Sequence, residues 1–205
     1  MRIILITLLG STVVCGSESR PGKWKVPTSA QMTAAISAAR SAQRPASGRP
    51  AGVNVAAQTA QQFLEDASAT QDPGVDYALS LEAARLLAGA GRLAEALSIV
   101  DDLANWYDAD LVGLQLELFA AAKQQARTPE RAQACAQLCL QHVDATLARE
   151  DFAGAARLTK TGESLATVAR DPALKASFSA REAFARELEV VLKELPQHAA
   201  RLREN

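Results

Sequence analysis

The chain has 205 residues, of which 48% are hydrophobic, 22% charged and only 4% aromatic, with 22 basic side chains against 23 acidic ones. That length suits one domain with appendages. So few rings argue against a β-sandwich interior, whereas alanine and leucine pack well helix against helix, so the expected fold class is all-α, built of antiparallel helical hairpins. The net charge of −1 is unevenly placed: between residues 17 and 50, Arg20, Lys23, Lys25, Arg40, Arg44 and Arg49 face a single acid, Glu18, and residues 51–205 carry the acidic excess. An acidic body argues against nucleic acid as partner, because phosphate binding needs concentrated Lys and Arg. The basic leader reads as a solvated tether.

Met1-Arg2 followed by the apolar run Ile3 to Leu9, then the small or weakly polar residues Gly10 to Gly16, predicts a signal peptide over residues 1–16. The run is too short to cross a bilayer, which takes roughly 20 apolar residues, and no other segment comes close. The expected location is therefore secreted or periplasmic, in the cell envelope. Cleavage after Gly16 releases a soluble chain; cleavage before Cys15 leaves a cysteine for lipidation and the sole expected route to a membrane tether. The second route is the weaker, since the bulky Val14 stands where a small residue is usual.

Residues 17–52 form a leader with one short helix over Thr28 to Arg44 and a Pro/Gly-rich linker over 45–52. Trp24, between two lysines, is a candidate docking element, but a single exposed Trp in a leader carries little weight. A helical domain is expected over 53–195. Asp72-Pro73 opens a helix with the apolar stripe Val75, Leu79, Ala83, Leu86 and Ala90, leaving Asp76, Ser80, Glu82 and Arg85 outside it. After Gly89-Ala90-Gly91 a second helix carries Leu93, Ala96, Leu97, Val100, Leu103, Ala104 and Tyr107, and Asp108 is expected to cap a third from Ala109. Thr128-Pro129 starts a helix lined by Ala132, Cys135, Ala136, Cys139, Val143 and Leu147. Arg149-Glu150-Asp151 turns into the stripe Ala155, Leu158, Gly162, Leu165 and Ala169, where glycine admits a close neighbour. Asp171-Pro172 opens a last helix lined by Leu174, Phe178, Leu188, Val191 and Leu195, with Glu182–Arg186 and Glu189–Lys193 as surface pairs, Pro196 ending or kinking it, and a tail over 196–205.

Ala84, Leu87, Gly91, Leu93, Ala96 and Val100 fall at the packing and turn spacings of a tetratricopeptide helix pair, so residues 77–107 resemble one such repeat, with Ser80 in place of its early tryptophan and Asp108 in place of its closing proline. The order Asp72-Pro73, Ala88-Gly89-Ala90-Gly91, Val100-Asp101-Asp102-Leu103-Ala104, Arg127-Thr128-Pro129-Glu130 and Asp171-Pro172-Ala173-Leu174 is similar to a helical module of exported planctomycete-type bacterial proteins, over residues 53–190. The resemblance implies a tetratricopeptide-like right-handed superhelical block, no assigned activity, and a place upstream of other extracellular domains.

Cys135, Cys139 and His142, spaced by four and three on one helix, are the best metal-ligand candidates, although the cysteines also belong to the apolar stripe and read more readily as core. One helical turn is a poor geometry for a disulfide between them. Asp101-Asp102 and Glu150-Asp151 read as solvated or capping carboxylates. No nucleophile elbow, phosphate-cradling loop or zinc-protease motif is present. The expectation is a non-enzymatic scaffold without cofactor that binds a protein or peptide. The alternatives are a metal- or small-ligand-binding helical protein using Cys135, Cys139 and His142, or a spacer in a larger extracellular protein.

Overall fold

A computed structural model of the chain describes residues 23–42 and 53–203, so the predicted signal peptide, Cys15 and the linker lie outside the described residues. The fold is all-α. The elements are α1 (Ser29–Ala42), α2 (Val53–Ala69), α3 (Pro73–Gly89), α4 (Leu93–Trp106), α5 (Leu111–Gln125), α6 (Pro129–Leu147), α7 (Phe152–Ala169) and α8 (Pro172–Arg203). None is long and apolar enough to cross a membrane.

The starts of α3, α5, α6, α7 and α8 are written in the sequence, whereas Arg92 ahead of α4 gives no side-chain cap. The Asp72 carboxylate accepts from the Gly74 and Val75 amides ahead of α3, and the Thr128 hydroxyl accepts from Arg131 ahead of α6, each with proline in the first turn, where its missing N–H is no loss. Asp110, Asp151 and Asp171 accept from Gly113, Gly154 and Leu174 at 2.9, 2.8 and 2.9 Å. The cap of α5 is thus Asp110, not Asp108. Residues 107 and 108 are diverted because they pair with the leader: Trp24 N–H donates to the Trp106 carbonyl and Asp108 N–H to the Trp24 carbonyl, both at 2.9 Å.

The ends share one device. The amides of Arg92, Asp151 and Asp171 reach back to the carbonyls of Leu87, Thr146 and Ala166, each across a left-handed residue: Gly91, Glu150 and Arg170. Glycine adopts that backbone freely, whereas a side chain there costs about 1 kcal/mol or more.

Helices α1, α3, α5 and α7 form a row in which each touches the next, and from α2 onward successive helices pack as neighbours. Because α3 touches α1, α2, α4 and α5, it is buried on nearly all sides. Its sequence stripe was too narrow: Ser80, placed outside it, is buried, while Val75 and Leu86 are only partly covered. The predicted inner face of α4 is buried throughout, including Tyr107. The leader helix also belongs to this body. Met32 and Ala39 pack on the core, and Arg40 pairs with Glu82 on α3 at 2.6 Å.

Helix α8 departs from expectation in two ways. It runs through Pro196 to Arg203, and Val191 is 52% exposed instead of lining the core. With 32 residues against 18 in α7, it outruns its neighbour by roughly 20 Å at 1.5 Å per residue. The pairs Glu182–Arg186 and Glu189–Lys193 form at 2.6 and 2.7 Å.

Gly162 lies under the ring of Phe178, and a Cβ there would fall well inside van der Waals contact with it. Gly162→Ala therefore gains helix propensity but forces the buried ring aside, and a net loss of about 1–3 kcal/mol is expected in urea unfolding. Arg170→Gly should have the opposite sign, raising stability by about 0.5–1 kcal/mol in the same measurement, since it relieves the left-handed backbone.

Candidate functional site

The three residues singled out as metal ligands point in different directions. Cys139 is fully buried against α7, where its Sγ donates to the Leu158 carbonyl at 3.3 Å, and burial pushes its thiol pKa up to about 12. Cys135 is half-buried in a groove of about 360 Å³ beside Gly91, Ala122, Arg131 and Leu138, and burial raises its pKa as well. His142 turns the other way, towards α4 and α5. Among the described residues, no three His, Cys, Asp or Glu side chains are placed to hold a metal ion.

What His142 meets is a buried polar network centred on Gln115 of α5, which is 0% exposed. Gln115 Nε2 donates to Asp101 Oδ1 at 3.0 Å and lies 2.9 Å from His142 Nδ1. With both amide protons used, Nδ1 must accept, which assigns the ring proton to Nε2. Phe119 sits edge-on to the imidazole with centroids 6.0 Å apart. Among the described residues, Gln115 Oε1 has no partner. The sequence reading missed this glutamine, although its one visible sign is plain: a neutral polar residue inside Leu111-Val112-Gly113-Leu114-Gln115-Leu116. Asp101, read as solvated, is instead half-covered and bonded inward.

Above the network lies a groove of about 680 Å³, bounded by Lys23, Asp101, Asn105, Gln141, His142 and Arg149. Its two cations are held in place by backbone oxygens. Lys23 Nζ donates to the Ala104 carbonyl at 2.6 Å, and Arg149 Nε donates to the Ala145 carbonyl at 3.1 Å. Neither meets a carboxylate within salt-bridge distance among the described residues, so both keep donors for a guest. Burial lowers the His142 pKa, Asp101 opposes that shift, and Arg149 adds to it. At neutral pH the groove therefore offers an uncharged imidazole along with two cations and the Asp101 side chain.

No protein-family model, no curated protein and no solved structure matches this chain.

The buried imidazole makes stability depend on pH in a defined direction. Its folded pKa lies below the ordinary 6.5, so as acid is added the unfolded chain takes up the proton first; the stabilisation is complete above pH 6.5 and declines as pH falls through that value towards the folded pKa. Urea midpoints measured from above pH 6.5 down to about pH 5 should fall, and His142→Gln should flatten that slope.

Proposed function

We propose that this chain is an exported, non-enzymatic scaffold whose stacked helical hairpins, tetratricopeptide-like in arrangement, present grooves to a protein or peptide partner in the cell envelope. The observation that carries the reading is the groove at Lys23, His142 and Arg149, where fixed donors stand over a pre-arranged polar floor. Pre-organisation of this kind lowers the ordering cost of binding and favours recognition of an acceptor-rich segment. Elsewhere Asp72, Asp110, Asp151 and Asp171 are engaged in holding helix starts. Resemblance to the helical module of exported planctomycete-type proteins points the same way, and export itself rests on the apolar stretch Ile3 to Leu9 behind Arg2.

A photo-crosslinking residue introduced in living cells at exposed Asn105 should give a discrete protein adduct, and the same residue at exposed Lys175 on α8 should not. Lys23→Ala combined with Arg149→Ala should reduce that adduct several-fold while leaving the unfolding curve little changed. An absence of adducts from every face would refute the scaffold reading.

A further inference from the structure

A second groove, on the opposite side of the α4 end, has the reverse chemistry. It lies between α2, α3 and α4, with Leu64, Ile99 and Leu103 as its apolar wall and Trp106 at its rim. Trp106 is 63% exposed, a large indole face left open to solvent. Two carboxylates frame the opening. Asp102 stands one helical turn before Trp106 on the same face of α4. Asp76 on α3 is fixed in orientation, receiving the Ser80 hydroxyl at 3.3 Å and the Tyr107 hydroxyl at 3.0 Å.

Nothing cationic in the walls answers these acids. Neither α2 nor α4 contains a lysine or arginine, and the single arginine of α3, Arg85, is held by Glu117 at 2.6 Å and by Glu82. Among the described residues, neither Asp76 nor Asp102 forms an ion pair. The groove's volume of about 240 Å³ is below the roughly 300–1,000 Å³ of a site built for a whole small ligand, and suits one long side chain entering from outside.

We infer that this groove docks a lysine- or arginine-bearing peptide segment of a partner protein, with the cationic head between Asp76 and Asp102 and its stem or guanidinium plane against Trp106. Such a guest matches the site twice over. Its charge complements the carboxylates, and a cation on an indole face adds attraction that a neutral side chain lacks. The aliphatic stem covers Leu64 and Ile99 while the head stays near water. The inference rests on the scaffold reading and names the chemistry of one of its guests.

A displayed library of random short peptides, selected on the full chain, tests it without presuming a partner. Selected peptides should be enriched in Lys or Arg next to an apolar residue. Synthetic representatives should bind about ten-fold more weakly to Trp106→Ala and to Asp102→Asn, should be rejected by Asp102→Lys, and should weaken with added salt. Both positions are exposed, so the variants should keep the native unfolding curve, which is checked alongside. Selected peptides that lack basic residues, or that bind these variants as well as the native chain, would overturn the groove assignment while leaving the scaffold reading intact. A selection yielding no binder would count against both.

Discussion

Close approach of helices over small side chains is the condition on which this structure depends. Alanine is the commonest buried residue, and each methyl removes little surface from water, so cohesion must come from many short contacts instead of a few large ones. Helices separated by alanine come near enough for a single added atom to matter, as it does where the Phe178 ring covers Gly162. The same condition explains why α3, with Ala78, Ala83, Ala84 and Ala88 buried, can be enclosed by four neighbours.

Against that alanine background, Tyr107 acts as a tie. Its phenol proton is shared between the Pro73 carbonyl at 2.6 Å and Asp76 at 3.0 Å, and its ring meets Tyr77 and Trp24 edge-on at 4.9 and 5.5 Å. Burial, followed by the Asp76 carboxylate, holds its pKa above the ordinary phenol value, so the donor persists across the physiological range. Since the leader is fastened here by Trp24, Lys23 comes to rest on the Ala104 carbonyl. One helix end thus separates two unlike surfaces, a donor-rich groove on the Lys23 side and a carboxylate-framed aromatic groove on the Trp106 side.

The helix starts at Asp72-Pro73, Thr128-Pro129 and Asp171-Pro172 were the most legible part of the sequence, because such caps act through bonds only a few residues long, although the cap of α5 was read two residues early. The buried face of α4 was legible for a related reason: it has one buried side and shows one stripe. Helix α3 was misjudged at Ser80 because an element with four neighbours leaves only a narrow polar strip, at Glu82 and Arg85, to reveal its orientation. The partners of Trp24 and Gln115 were beyond local inspection. Each matters through partners far along the chain, Tyr107 for the first and Asp101 and His142 for the second, and neither partnership leaves a periodic mark. For Cys135, Cys139 and His142 the shared edge was legible but the neighbours were not. Steps of four and three put three side chains near one edge of α6, but that edge is shared by α5 on one flank and α7 on the other, and the residues divide between them.

That division gives α6 an internal gauge of its own breathing. Cys139 is sealed beneath the backbone of α7, while Cys135, one turn earlier, borders an open groove, so an alkylating reagent meets two thiols on one helix under very different cover. Modification at Cys139 requires α6 and α7 to part, whereas modification at Cys135 needs only entry to the groove and loss of its proton. The ratio of the two rates measures how often this helical pair opens, relative to ordinary exposure on the same element.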